Sequence, residues 1–222
     1  MKRAYWQLGL LAVLLLALAL RLHGIHNPLL DHPGWRQGDT ASIARNFARI
    51  RFDIIYPQTS YNGPPPNYVE LELQIVPFLA ASLYKLFGIH EIFGRLITLA
   101  FSLATVVSLA YFGRWIFESA AAGLIAAFLY AVFPGSVYYG RTFMPDSAMV
   151  FFLTIALYAT ARYLVAERRL SPRGLAGTTA LLALAYLAKP VAAIAVVPVL
   201  GMIGERVAAR RSMPAPFALI LV

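Results

Sequence analysis

The feature that most constrains this chain is a series of apolar runs, several of them long enough to cross a lipid bilayer. A transmembrane helix needs about 20 mostly apolar residues. With 60% hydrophobic and only 13% charged residues, the composition is also that of a membrane protein. The runs lie at about 5–22, 95–114, 119–138, 147–166, 175–188 and 190–204. The sequence therefore predicts an all-α polytopic membrane protein.

The first and last apolar runs each need an interpretation of their own. The first follows Lys2 and Arg3, as in a secretory signal, but it is followed by Arg21, Leu22 and His23 instead of a small-x-small cleavage site. We therefore expect an uncleaved first transmembrane helix. The last run, from about 214 to 222, is too short to span a bilayer. It predicts a truncated transmembrane helix, with the C-terminal remainder of the module absent.

The distribution of basic residues predicts the orientation. The stretch 71–87 is apolar but carries Glu72, Gln74 and Lys85. If it does not span, nine basic residues fall on the side of the N-terminus, and only Arg141 and Lys189 lie in the opposite short loops. The nine are Lys2, Arg3, Arg114, Arg168, Arg169, Arg173, Arg206, Arg210 and Arg211. The positive-inside rule then places the N-terminus in the cytoplasm. Segment 71–87 is predicted to lie as an amphipathic helix at the outer interface.

This topology collects polar residues on the outer, extracytoplasmic side. A long first outer loop at about 23–94 is expected to contain amphipathic helices at about 40–51 and 71–87. Seven of the ten acidic residues fall on this side: Asp31, Asp39, Asp53, Glu70, Glu72, Glu91 and Asp146. The net charge of +9 is explained by cytoplasmic anchors, so no nucleic-acid partner is expected. The absence of cysteine excludes a thiolate metal site and a cysteine nucleophile.

Asp39 is the acidic residue of greatest interest in the long outer loop. It follows Gly38 and precedes a helical pattern with Ile43, Phe47 and Ile50 on one face. A helix N-cap is one interpretation, because an aspartate at that position accepts backbone N–H groups of the first turn. A catalytic carboxylate is the other. The two are compatible, since a capping carboxylate can keep one oxygen free for chemistry.

The other candidates also have structural interpretations. Glu70 and Glu72 could form the polar face of an interfacial helix, and Asp146 could cap the long helix that follows it. Lys189, between two short apolar helices, could extend its ammonium group to lipid headgroups. The four histidines have no metal-ligand spacing, and His26 and His32 are the only ones considered as ligands.

Three segments of the sequence resemble one family. The run from Trp35 to Phe47 (Trp-Arg-Gln-x-Asp-Thr-Ala-x-Ile-Ala-Arg-Asn-Phe) resembles the first outer loop of GT-C glycosyltransferases. It is most similar to the bacterial relatives of protein O-mannosyltransferases and aminoarabinose transferases. Residues 70–96 resemble the family's Glu-x-Pro…Phe-Gly…Arg-Leu stretch, with Gln74 where proline is usual. Residues 141–146 (Arg-x-x-x-Pro-Asp) resemble its second acidic motif, and the family often has a lysine at the position of Lys189.

The resemblance implies a role for each matching residue. Asp39 is implied to be the general base that takes the acceptor's proton in an inverting transfer, or else part of the acceptor and metal site. Asp146 and Glu72 are implied to hold a divalent metal such as Mg²⁺, Mn²⁺ or Zn²⁺, although the basic side chains could bind the donor's phosphate without one. The substrate-binding residues implied are Arg36, Glu72, Arg141 and Lys189.

The function implied is transfer of a sugar from a polyprenyl-phosphate donor to a lipid, glycan or protein acceptor. The expected location is the extracytoplasmic face of a bacterial inner membrane. No Gly-rich phosphate loop is present, which argues against a soluble nucleotide donor. A transporter or lipid-linked-sugar flippase is the alternative, but such proteins place ionisable residues near the bilayer midplane, where this sequence has few. A non-catalytic scaffold would leave the outer acidic residues unexplained.

Overall fold

The protein is helical throughout the parts of the chain that the computed structural model describes. These are residues 2–31, 33–61, 63–64, 66–69, 72–166 and 171–212. Within them there is no β-strand, only an isolated bridge between Gln58 and Tyr68. His32, Glu70, the Arg168–Arg169 pair and the truncated helix predicted from about 214 lie outside the described residues. The helices are α1 Lys2–Leu22, α2 Gly34–Arg49, α3 Ile75–Phe87, α4 Ile92–Ile116, α5 Ala120–Val132, α6 Pro134–Tyr139, α7 Asp146–Ala161, α8 Pro172–Ala188 and α9 Val196–Ser212.

The length and composition of four helices are those of membrane-spanning segments, which confirms the predicted all-α polytopic membrane fold. Two further helices, α3 and α5, are apolar but shorter. A π-helical turn extends α7 through Ala166, and a 3₁₀ segment, Pro190–Ala195, leads into α9. The four candidate spans are Ala4–Leu22, Ile92–Ile116, Asp146–Leu164 and Pro190–Ala208.

The long helices run between two distinct ends of a bundle. The Arg114 guanidinium, near the end of α4, lies over the Trp6 ring at the start of α1. Arg21, at the end of α1, bonds Ser102 in the first half of α4, so these two helices are antiparallel. We call the end with Trp6 and Arg114 the N-terminal end. The opposite end, where residues 24–31 meet Arg95 and Arg141, is the loop end.

The later helices alternate between the same two ends. At the N-terminal end, Tyr158 of α7 contacts Trp115 of α4, with ring centroids 5.9 Å apart. At the loop end, Asp146 at the start of α7 pairs with Lys189, which follows α8. Helix α9 then returns, since Arg206 bonds the Leu164 carbonyl at the far end of α7. The predicted spans and their basic loops alternate between the two sides in the same order.

The apolar run predicted as one span at about 119–138 is divided. Helix α5 ends at Val132, and the short α6 begins at Pro134. Proline lacks a backbone N–H, and its ring clashes with the preceding turn, so it starts a new helix here. Ser119 caps α5 by accepting a hydrogen bond from the Ala122 amide. Hydropathy alone does not reveal this break, because the residues around it are apolar on both sides.

Close packing of α4 and α5 depends on small residues. A Cβ atom at Gly123 would collide with the Ala110 carbonyl oxygen and crowd the Arg114 backbone. Ala110 belongs to a buried cluster that also contains Trp6, Val106 and Ala127. Lipid tails are as apolar as leucine, so association of helices within a membrane depends on such close contact.

Helices α2 and α3 pack against each other over the loop end. Ile43 and Phe47 of α2 form a buried cluster with Ala81 of α3. Tyr84 of α3 lies near Phe93 at the start of α4, with centroids 6.4 Å apart. Helices are therefore found near both predicted positions in the outer loop, but each begins at a different residue from the one expected. Helix α2 begins at Gly34 instead of about 40, and α3 begins at Ile75 instead of about 71.

Arg21 fastens three helices together at the loop end. Its side chain is fully buried and makes no ion pair among the described residues. Its Nε donates to Ser102 Oγ (2.8 Å), and its two terminal nitrogens donate to the Ala131 carbonyl (2.9 Å) and the Tyr130 carbonyl (3.3 Å). These carbonyls end α5, where the helix dipole favours a positive charge. Arg21 therefore satisfies the backbone that Pro134 leaves unpaired.

We expect Arg21→Met to destabilise the fold strongly, because it removes hydrogen bonds from a charged donor and leaves buried carbonyls unpaired. The expected loss is roughly 3 kcal/mol of unfolding free energy. Unfolding in detergent, followed by circular dichroism, measures it. The matched control is Arg173→Met, which removes an exposed arginine of α8. Equal stability of the two variants would contradict this account.

Candidate functional site

Four segments singled out by the sequence meet at the loop end and form a closed ring of contacts. The segments are the start of α2, the residues before α3, the turn before α7 and the break after α8. The start of α2 contacts both the residues before α3 and the turn before α7, and the end of α8 with the break after it contacts those same two segments. We call this the motif ring. Its four contacts are Gln37 with Phe143, Arg36 with Glu72, Leu73 with Leu187, and Lys189 with Asp146.

Gln37 joins α2 to the turn before α7. Its side chain is fully buried, and its Oε1 accepts a hydrogen bond from the Phe143 amide (3.1 Å). Its Nε2 donates to the Asp31 carboxylate (2.8 Å) and to the Asp31 carbonyl (3.1 Å). Phe143 fits because position 94 is glycine, where a Cβ atom would collide with the ring. The sequence identified Gln37 only as part of the first motif, without a role.

Arg36 pairs with Glu72 through Nη2 and Oε1. Both side chains are largely buried, with 19% and 8% of their surface exposed, so solvent screens this ion pair less than a surface pair. The contact joins the first turn of α2 to the segment that precedes α3. Glu72 therefore lies in the site instead of on a solvated polar face. Glu70 cannot be compared, since it lies outside the described residues.

Asp39 lies in the second turn of α2, so the N-cap interpretation is wrong. The helix starts five residues earlier, and no side chain caps it. Asp39 and Arg36 are three residues apart and therefore share a helix face. Burial, followed by the nearby Asp39 carboxylate, raises the pKa of the Tyr61 phenol, which hydrogen bonds to Asp39. Asp39 is half-buried and thus remains within reach of a ligand.

The backbone closes the ring between the second and fourth segments. The Leu73 amide donates to the carbonyl of Leu187 (2.7 Å), the last residue but one of α8. The bond engages the backbone of Leu73 outside a helix, directly before α3 begins at Ile75. Gln74 supports it locally, since its side chain is buried and donates to the Glu72 carbonyl (2.9 Å).

Lys189 and Asp146 form the fourth contact. Lys189 Nζ lies 2.6 Å from Asp146 Oδ1, and the two side chains are 31% and 22% exposed. Asp146 is the first residue of α7 and makes no capping hydrogen bond, so the predicted cap is wrong. Its Oδ2 is buried and has no hydrogen-bond partner within the described chain. The Lys189 ammonium group therefore contacts a side chain of the motif ring, and does not only extend towards lipid headgroups.

Arg141 supplies a buried positive charge beside the ring. Its guanidinium lies over the Tyr138 ring, 5.7 Å from the centroid, and against Gly24, where a Cβ atom would collide with it. Its Nε and Nη1 are buried and have no hydrogen-bond partner among the described residues. Buried N–H groups of a charged side chain are costly when unpaired. An anionic ligand would satisfy them.

Sequence reasoning missed the pair formed by Arg95 and Asp31. Arg95 is almost fully buried in the first turn of α4, and its Nη2 donates to Asp31 Oδ1 (3.1 Å) and to the Pro28 carbonyl (3.2 Å). Asp31 is the same carboxylate that Gln37 bonds. The available signal was an arginine at the start of a long apolar helix, where an unpaired charge would be expensive.

The described residues do not fit a metal centre. None of the described histidine, aspartate and glutamate side chains come together in a group of three that could hold an ion. The two predicted ligands, Asp146 and Glu72, instead each pair with a basic side chain. His26 belongs to no such group, and His32 lies outside the described part of the chain. We therefore derive no step through a metal.

Comparison with known proteins gives one match. Residues 74–222 match the family described as dolichyl-phosphate-mannose-protein mannosyltransferase. No curated protein and no solved structure matches the chain. Arg141, Asp146 and Lys189 lie within the matched range, whereas Arg36 and Asp39 precede it. Since the match covers 149 of the 222 residues, the chain belongs to the dolichyl-phosphate-mannose-protein mannosyltransferase family, a group of GT-C membrane glycosyltransferases.

Proposed function

We propose that this membrane glycosyltransferase moves a sugar from a polyprenyl-phosphate carrier to an acceptor hydroxyl at the motif ring. The observation that carries the proposal is the ring itself, because four segments far apart in sequence bring acids and bases to one end of the bundle. A transfer reaction at a membrane surface needs both kinds of group. Acids can accept the acceptor's proton, and bases can bind the departing phosphate.

Asp39 is the proposed general base. The acceptor oxygen attacks the anomeric carbon from the face opposite the phosphate, so the configuration inverts. The bond between that carbon and the phosphate oxygen breaks as Asp39 takes the hydroxyl proton. Asp39 suits this task because it is half-buried and because the Tyr61 phenol hydrogen bonds to its carboxylate. The nearby carboxylate of Glu72 is engaged by Arg36, so it does not compete for the proton.

Arg141 and Lys189 are proposed to bind the donor's phosphate. Arg141 has two buried nitrogens ready to donate, and a guanidinium can bind a phosphate through two parallel hydrogen bonds. Lys189 is less buried and adds a second charge next to Asp146. As the sugar leaves, negative charge grows on the phosphate oxygens, and these side chains stabilise it. Since both predicted metal ligands have basic partners, we favour binding without a divalent cation.

The proposed location is a bacterial inner membrane, with the motif ring on the extracytoplasmic face and the N-terminus in the cytoplasm. The support is the positive-inside rule, because Arg114, Arg162 and Arg173 lie at or near the N-terminal end of the bundle. Arg95 lies in the first turn of α4, at the loop end, and Arg21 reaches Ser102 in the half of α4 nearer that end. That arrangement favours a surface transfer site over a transport path, which would need ionisable groups near the midplane.

We expect Asp39→Asn to abolish transfer while the fold is retained. Loss of a general base lowers the rate by about 10²–10⁴, and an asparagine at this half-exposed helix position disturbs little packing. Turnover of a radiolabelled polyprenyl-phosphate sugar by the purified enzyme measures the first effect, and melting in detergent measures the second. Asp53→Asn, which changes a partly exposed acid of the same loop that pairs with Arg51, is the control. A variant that keeps more than about a tenth of wild-type turnover would contradict the role of Asp39.

We expect Arg141→Gln to weaken binding of the polyprenyl-phosphate carrier by roughly 1.5–3 kcal/mol, because it removes charged hydrogen bonds to the phosphate. Carrier binding measured by fluorescence quenching tests this, with Arg45→Gln as control because that arginine is exposed on α2. Treatment with EDTA should leave transfer unchanged. If chelation abolishes transfer and Mg²⁺ or Mn²⁺ restores it, a metal bridge replaces our account of the phosphate site.

We expect Ile55→Cys to react with a membrane-impermeant maleimide added outside intact cells, and Arg173→Cys to react only after the membrane is opened. The chain has no cysteine of its own, and both positions are exposed. The first lies in the long loop at the loop end, and the second lies at the start of α8, at the other end of the bundle. Labelling of both positions from the outside would overturn the orientation.

A further inference from the structure

A second polar site lies at the N-terminal end of the bundle, far from the motif ring. Arg114 follows Arg95 by 19 positions on the same helix, which is a distance of about 28 Å at 1.5 Å per residue. This is close to the thickness of a bilayer's hydrocarbon core, about 30 Å. The two sites therefore lie at opposite membrane surfaces, and this one plays no part in the proposed transfer.

Two adjoining cavities meet at Arg114. One has a volume of about 380 Å³ and is lined by Tyr111, Arg114, Trp115, Glu118 and Tyr158. The other, of about 370 Å³, is lined by Trp6 and Gln7 together with Tyr111 and Arg114. Aromatic rings and charged groups surround a space of this size in many small-ligand sites. Tryptophan and tyrosine are also the residues that collect at the headgroup level of membranes.

Arg114 has its charge available for a ligand. The guanidinium lies 4.6 Å from the centroid of the Trp6 ring, and it makes no hydrogen bond or ion pair with any described residue. Trp6 is itself held edge-to-face against Tyr111, with centroids 5.0 Å apart. The two rings thus fix the position of the guanidinium while its donor groups stay open to the cavities. Such a placed guanidinium is a good partner for a phosphate.

Glu118 supplies the opposite charge on the same cavity. It lies in the left-handed backbone region, with φ of 49°, which is unfavourable for a residue with a side chain. Backbone strain of this kind persists where surrounding structure holds it and is frequent at ligand sites. Glu118 makes no ion pair with Arg114, although four positions separate them, nor with any other described residue. The cavity therefore presents two separate charges of opposite sign.

We propose that this cavity binds the headgroup of an aminophospholipid from the bilayer, with the phosphate on Arg114 and the ammonium group at Glu118. The lining has no net charge, which matches a zwitterion better than an anionic headgroup that Glu118 would repel. The Trp115 ring lines the same cavity as Glu118, and aromatic faces attract such cations, whereas the Tyr158 ring already has the Arg162 guanidinium over it, 6.0 Å from the centroid. The exposed apolar side chains of Ile116 and Phe117 lie alongside and provide a surface for the acyl chains.

Lipid binding to the purified protein tests the proposal without any assay of transfer. Three compounds are titrated into the protein in detergent: dioleoylphosphatidylethanolamine, dioleoylphosphatidylglycerol and, as a soluble probe, O-phosphorylethanolamine. Native mass spectrometry measures the bound fraction of each. We expect the ethanolamine lipid to bind at least about tenfold more tightly than the glycerol lipid, and the soluble probe not to bind at the same concentration. Equal binding of the two lipids would overturn the proposal. Equal binding of the soluble probe would assign the cavity to a free solute instead.

Two variants locate the site. Arg114→Gln should weaken binding of the ethanolamine lipid at least about tenfold, the lower range for loss of a charged hydrogen bond. Glu118→Gln should remove the preference for ethanolamine over glycerol, because the partner of the ammonium group is lost. Arg173→Gln, an exposed arginine expected on the same membrane side, should leave both affinities unchanged. A lipid preference that survives both cavity variants would rule out this site. If a variant fails to fold, the comparison of the two lipids on the wild-type protein still tests the proposal.

Discussion

The buried guanidinium of Arg21 holds the loop end of the bundle together. An isolated charge is expensive inside a membrane protein, yet the partners of this one among the described residues are neutral: two serine hydroxyl groups, the Ala17 carbonyl and two carbonyls at the end of α5. The helix dipole at that end supplies the negative potential that an acidic partner would otherwise provide. Because α5 stops there, the chain can turn at Pro134 and bring residues 140–146 to the motif ring. The position of Arg141 and Asp146 therefore depends on Arg21.

Much of the fold can be predicted from the sequence, because hydrophobicity and loop charge can be evaluated for one helix at a time. The spans, the alternation of the two ends and the two helices over the loop end are all readable in this way. The break at Pro134 is a local effect that average hydropathy hides. The early start of α2 is different, since Gly34 and Gly38 favour a turn in isolation. There the contacts of Gln37 with Phe143 and Asp31 override the local preference.

The candidate site was predictable as a set of residues but not as an arrangement. Asp39, Arg141 and Lys189 were identified by motif, whereas the pairing of Arg36 with Glu72 and of Lys189 with Asp146 joins positions 36 and 43 residues apart. No local pattern records such pairs. Arg95 shows the same limit, because its partner Asp31 lies 64 residues away. These pairings also change the chemistry expected. Carboxylates that look like metal ligands in the sequence form ion pairs with arginine and lysine side chains in the structure.

The contact between Leu73 and Leu187 differs from the other three because it joins two main-chain groups. Side-chain identity at these positions does not enter the bond, so almost any residue can occupy them while the ring stays closed. Proline at 73 is the exception, since it has no N–H to donate. The ring thus contains a junction at which sequence is free to drift. Substitutions at these two positions would therefore alter the surface beside the motif ring while the main-chain bond keeps the ring closed.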